Sequence, residues 1–126
     1  MLDFDFMYQC VPLFSKALSL TLYISFFGIL LSLLIGFIGA WILFLKLQFL
    51  SPLVGLYVEL ARNTPLLIQL FFLYYGLHSV IDVNLSEYTC AITGLAFLGG
   101  GYMCESFRTG LESIHRTQIE AAQSIG

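Results

Sequence analysis

The sequence predicts an all-α membrane protein with about three transmembrane helices, an interfacial helix and a short cytoplasmic helical segment at its end. Composition is the first reason: 59% of residues are hydrophobic and 10% are charged, with a mean hydropathy of +0.90, whereas soluble domains are about a quarter charged. The second is the placement of the charges. Residues 17–45, 63–81 and 88–104 are long runs, nearly or wholly free of acidic and basic side chains, and a membrane-crossing helix needs roughly 17–25 mostly apolar residues. The third is the distribution of basic residues. With the N-terminus outside, Lys16 alone lies on the outer side, while Lys46, Arg62, Arg108 and Arg116 fall at the inner side, as the positive-inside bias requires.

Residues 1–16 read as a short outer leader, with Tyr8 and Phe14 suited to the membrane interface. Asp3 and Asp5 stand where a cleaved signal peptide would carry basic residues. The first span covers about 18–45. Its uncharged run, about 42 Å at helical rise, exceeds the roughly 30 Å hydrocarbon core, so it is expected to tilt or project. Gly36 and Gly39 share one face of it, where small residues let helices approach closely.

Ser51-Pro52 is a helix-start signal, since Ser caps free amides and Pro at the first position has no amide to waste. This helix is expected to end near Arg62 and, carrying Glu59 and Arg62, to lie at the inner interface. Thr64-Pro65 repeats the signal. A residue before Pro is pushed out of the helical region, so the chain is expected to break at 63–64 and a second span to run over about 65–81. Ser86 then caps a third span, 87–112, after an outer turn.

The third span holds Gly99, Gly100 and Gly101 in succession, each costing about 1 kcal/mol relative to Ala in an exposed helix interior. Either tight packing against a neighbouring helix offsets this, or the backbone unwinds locally to line a path. Glu105, Arg108, Glu112, Arg116 and Glu120 follow as a ladder of alternating charge, which supports a solvated helix face. Thr117 and Glu120 have capping-box spacing, so a turn through His115 and a new helix from near Thr117 are expected in the 113–126 segment.

Several functions are disfavoured by the residues. The three cysteines, Cys10, Cys90 and Cys104, show no C-x-x-C spacing and read as structural thiols. No metal or cofactor is implied. The basic residues are dispersed and define no nucleic-acid surface. The two histidines fall on opposite sides of the membrane, and no H-E-x-x-H or G-x-S-x-G sequence occurs, so an intramembrane enzyme is disfavoured. No G-x-x-x-x-G-K-[ST] loop is present to cradle phosphates either.

Residues 62–77, R-N-T-P-L-L-I-Q-L-F-F-L-Y-Y-G-L, resemble the R-G-T-P-L-L-x-Q-L-F-F-x-Y-x-G-L stretch of polar amino-acid ABC importer permeases. Tyr102, Glu105, Arg108, Gly110, Gln118 and the Glu120-Ala121-Ala122-x-x-x-Gly126 segment resemble the second signature of that family, the EAA loop. Asn63, His115 and Thr117 depart from its usual residues. The resemblance covers most of the chain from about residue 15 and matches the N-terminal part of a permease that usually has about five spans.

The resemblance implies that residues 1–126 are the N-terminal portion of a type I transmembrane domain in a bacterial inner membrane. The EAA segment is expected on the cytoplasmic side and the surrounding lipid on the spans. It further implies an ABC ATPase docked through a coupling segment at 113–126, with Gln118, Glu120, Ala121, Ala122 and Gly126 in the contact. The other implied partners are a second permease subunit, identical or not, and a periplasmic or extracellular binding protein that delivers a polar amino acid such as arginine, histidine or glutamine. Gly99, Gly100, Gly101, Tyr102 and Glu105 are the candidate substrate path, with carbonyls, a phenol and a carboxylate to meet a zwitterion. Glu105 equally suits an ion pair with Arg108. The alternative function is a truncated, non-transporting membrane fragment.

Overall fold

The computed structural model describes residues 3–114 and 116–126 and, among them, is built from helices alone. In chain order these are α1 (Phe4–Phe44), α2 (Leu50–Asn63), α3 (Leu66–Phe71), a π-helical segment (Phe72–Gly76), α4 (Leu77–Ile81), α5 (Glu87–Glu112) and α6 (Arg116–Ile125). Among the described residues, α1 alone is long and apolar enough to cross a membrane, and α2 with the α3–α4 stretch meets the same test only as a pair bent by 106°. Helix α5 has the bounds expected of the third span, but its glycines, tyrosines and Glu105 lower its apolarity.

The packing of α1 on α5 relates the spans. A Cβ on Gly28 would lie 3.2 Å from Leu95 Cβ, one on Gly36 would press on Met103, and one on Gly39 would lie 2.9 Å from Cys104 Sγ. Contacts therefore advance in step along both chains, so α1 and α5 run parallel. Two parallel neighbours require the chain between them to return to its starting side, and α2 to α4 make that return.

Helix α1 buries Gly28, Ser32, Gly36, Gly39 and Ala40 and leaves Phe26, Ile29, Leu34, Phe37 and Ile38 exposed. Small residues inside and large apolar ones outside are what close helix packing in lipid demands, since lipid solvates Leu and Phe as well as a protein core does. The buried cluster of Ala40, Val58 and Cys104 sits where α1, α2 and α5 meet, with Leu43, Val54, Tyr57 and Phe107 around it. Ser32 donates to the Gly28 carbonyl within α1 and lies 3.2 Å from the Leu95 carbonyl of α5. Tyr57 ties α2 to α5 through a 2.7 Å bond to the Phe97 carbonyl.

Gly55 and Gly110 serve no such contact. A Cβ on Gly55, within α2, would meet nothing within 4 Å, so Gly55→Ala is expected to stabilise the fold by roughly 0.4–1 kcal/mol through lost freedom of the unfolded chain. A raised thermal midpoint in detergent checks this.

Three local expectations change. The leader continues α1 helically from Phe4 through Pro12, making α1 about 61 Å long at helical rise. Ser51 does not cap α2: its amide donates to the Leu47 carbonyl and its hydroxyl to the Ile42 carbonyl. Helix α2 begins at Leu50, and Pro52 still falls in the first turn, where a missing amide costs no helical bond. Helix α6 starts at Arg116, so Thr117 lies in its first turn and Glu120 in its second, rather than forming a capping box. The expected turn at His115 lies outside the described residues.

Elsewhere the local chemistry holds. Thr64 is extended (φ −102°, ψ 126°), as a residue before Pro should be. Ser86 caps α5 by accepting from the Thr89 amide at 3.2 Å. Asp82 ends α4 in the left-handed region at φ 54°.

Candidate functional site

Four charged side chains, Glu59, Arg62, Glu105 and Arg108, line a cleft of about 380 Å³ between the C-terminal half of α2 and the C-terminal third of α5. Leu43, Gly55 and Val58 form part of its wall, and Glu59, Arg62, Asn63, Glu105 and Arg108 supply its polar groups. Helical spacing explains why the charges meet. Glu59 and Arg62 are one turn apart on α2, and Glu105, Arg108 and Glu112 succeed one another at i+3 and i+4 on α5. Arg108 bonds Glu105 at 2.7 Å and lies 3.6 Å from Glu112. Its Nε is buried and has no hydrogen-bond partner among the described residues. Arg62 lies over the Tyr102 ring, 5.5 Å from the centroid, an attractive cation–π position. Two guanidiniums and two carboxylates thus line a cleft with little net charge.

Gly99, Gly100 and Gly101 stand one to two turns before this cleft, inside an unbroken α5. Local unwinding is not observed, because neighbouring side chains fill the space the missing Cβ atoms leave. A Cβ on Gly99 would press on Ser32 of α1, one on Gly100 would lie 2.5 Å from Tyr57 Oη and 2.8 Å from Ile35 Cγ2, and one on Gly101 would lie 2.9 Å from Ala61 Cβ. Three successive residues in a helix point about 100° apart, so the triplet lets α5 touch α1 and α2 on adjoining faces. Tyr102 is exposed, and Glu105 and Arg108 are half-buried. The structure therefore brings Glu105 into the cleft, sets Tyr102 under the Arg62 guanidinium beside it, and uses the glycines as packing surface.

Helix α6 lies apart and packs on no other helix among the described residues. Gln118, Ala122 and Gly126 fall on one side of it with Ile119 and Gln123, and Glu120 flanks that side, about 60° round from Gln123 by helical periodicity. Residues 117–126 are all exposed. Gly126 has φ +111°, a conformation that favours glycine. An exposed short helix with one apolar side can lay that side against a partner.

The residue that sequence reasoning passed over is Gln69. It is 8% exposed, and its Nε2 donates to the carbonyls of Ala61 at 3.1 Å and Thr64 at 2.9 Å. The available signal was a lone amide side chain in an apolar run, four residues after a helix-breaking proline.

No family model matches the chain. It is 38% identical over 126 residues to the "Probable amino-acid ABC transporter permease protein PatM" of Vibrio harveyi, covering 98% of this chain and 56% of that protein. It is 40% identical over 106 residues to the "Probable glutamine ABC transporter permease protein GlnP" of Bacillus subtilis, covering 84% of this chain and 48% of that protein. Among solved structures, a chain from the "Crystal structure of an amino acid ABC transporter with histidines" superposes with a TM-score of 0.89 at 31% identity, covering 100% of this chain and 58% of its own. The chain thus spans about half the length of the curated relatives it matches.

Proposed function

Because this chain belongs with the amino-acid ABC transporter permeases, of which it spans about half, we propose that it is part of the membrane permease of an ATP-driven importer of polar amino acids. The observation that carries this reading is a likeness of both sequence and backbone that extends over the whole chain. The parallel α1 and α5 with the returning α3–α4 act as the three spans, in contact with lipid on their large apolar side chains. The N-terminus lies outside and α6 in the cytoplasm, which the inward placement of Lys46, Arg62, Arg108 and Arg116 supports.

In this reading Tyr102 and Glu105, with Arg62, Arg108 and Glu59, border the inner end of the substrate path. The α-carboxylate of a zwitterion is attracted by a guanidinium and its ammonium by a carboxylate. The Gly99–Gly101 backbone serves the path by holding α5 close to α1 and α2. Residues 113–126 act as the coupling segment. Gln118, Ala122 and Gly126 offer close approach to an ABC ATPase, while Ala121 and Glu120 border that contact. A second permease subunit, identical or not, completes the membrane unit, and a binding protein on the outer side delivers arginine, histidine, glutamine or a similar amino acid.

A Glu120→Lys exchange tests the coupling assignment. Co-purification of the ATPase with the permease is expected to fall about tenfold, corresponding to roughly 1.4 kcal/mol of contact energy. Wild-type attachment and uptake in that variant would remove Glu120 from the site. Intact attachment without amino-acid uptake in the wild type would instead favour a non-transporting membrane component.

A further inference from the structure

We propose that Gln69 is the positioning residue of the break between α2 and α3, its side-chain amide standing in for the backbone N–H that Pro65 lacks. In a continuous helix the Ala61 carbonyl would accept from residue 65. Proline has no N–H to give. Ala61 is 0% exposed, so water cannot satisfy that oxygen, and a buried carbonyl without a partner is costly. The next two residues, Arg62 and Asn63, are exposed and face no such difficulty. Gln69 Nε2 reaches the Ala61 carbonyl at 3.1 Å and uses its other hydrogen on the Thr64 carbonyl at 2.9 Å.

These two bonds span the bend. They join the last turn of α2, the extended Thr64 and the first turn of α3, whose own amides at Ile68 and Gln69 go to the Pro65 carbonyl. The amide orientation follows from its surroundings, since both acceptors are carbonyls and a flipped amide would set Oε1 against them. Gln69 Oε1 is buried without a partner among the described residues, so the residue keeps its place through what it donates. By fixing the 106° angle, Gln69 holds Glu59 and Arg62, both within one turn of the Ala61 carbonyl it bonds, against the Tyr102, Glu105 and Arg108 side of the cleft.

The proposal makes Gln69 and Pro65 an interacting pair, which separates it from a packing role. Spin labels at Leu53→Cys and Val80→Cys, with Cys10→Ser, measure the bend in the full chain in nanodiscs. By helical rise the labelled backbones are about 24 Å apart at the observed angle and about 39 Å apart if the helices straighten. Gln69→Met, similar in shape and without donors, is expected to broaden the distribution towards the longer distance and lower the thermal midpoint by at least about 5 °C. In the Pro65→Ala background the new amide serves Ala61, so the same exchange is expected to cost little stability while the distance stays long.

A parental distribution in Gln69→Met, or an equal loss of midpoint in both backgrounds, would overturn the proposal. Should Gln69→Met not fold, folding of the Pro65→Ala/Gln69→Met double variant supports it, and failure of the double variant overturns it. The effect on uptake rests on reading the cleft as a transport path. The distance measurement does not, so a bend that shifts without loss of uptake would count against the path alone.

Discussion

Replacing Gly36 with valine is expected to separate α1 from α5 and leave little protein that survives gel filtration as a single species. A Cβ at Gly36 would sit 2.9 Å from the Cys104 amide nitrogen and 2.9 Å from the Met103 carbonyl carbon. These are backbone atoms of a helix and cannot rotate aside as the end of a flexible side chain does. Inserting even single methylenes into a packed site costs about 1–3 kcal/mol, and valine adds three heavy atoms. The same helix pair buries the Ser32 bond and the Ala40–Cys104 contact, so the loss spreads along the interface. Gly55→Ala is the control at an open position. Equal recovery of Gly36→Val and the parent protein would mean that α1 and α5 do not pack in the register described.

The second large effect is expected at Arg108. Its guanidinium bonds Glu105 at 2.7 Å and approaches Glu112, so Arg108→Gln leaves two carboxylates without their cation on a half-buried helix face. Losing a hydrogen bond to a charged group costs roughly 1–3 kcal/mol, and partial exposure of the pair places the expected loss in the lower part of that range. Glu105→Gln should cost less, because a neutral amide can still accept from Arg108. The exchanged pair Glu105→Arg/Arg108→Glu should recover part of the midpoint lost by Arg108→Gln, since the i,i+3 spacing is kept. Thermal midpoints in detergent for the three variants check this order. An Arg108→Gln midpoint equal to the parent would show that the ion pair contributes nothing measurable.

What was legible in the sequence was local. The bounds of α5, its Ser86 cap, the extended Thr64 and the packing face of Gly36 and Gly39 all follow from the chemistry of one turn or one face. Where a neighbour competes, the local signal failed. The Ser51 hydroxyl is taken by the Ile42 carbonyl, and Thr117 became helical because α6 begins one residue before it. The glycine triplet carried two readings that composition alone could not separate. Tyr57, Ile35, Ser32 and Ala61, brought in from other helices, decide for packing. The convergence of Arg62 on Tyr102 has the same origin, because it depends on the angle at Pro65, and nothing in residues 72–76 announces the π-helical turn. Gln69 was hidden for a related reason: its partners are backbone carbonyls, which no side-chain pattern reveals.

Uptake of labelled arginine, histidine and glutamine into the native cells, with and without the gene region encoding this chain, tests the central claim most directly. The account predicts that deletion abolishes ATP-dependent uptake of at least one of these amino acids and that restoring the region recovers it, whereas the Glu120→Lys form does not. Uptake of all three at the parental rate after deletion, with other polar amino acids equally unaffected, would contradict it.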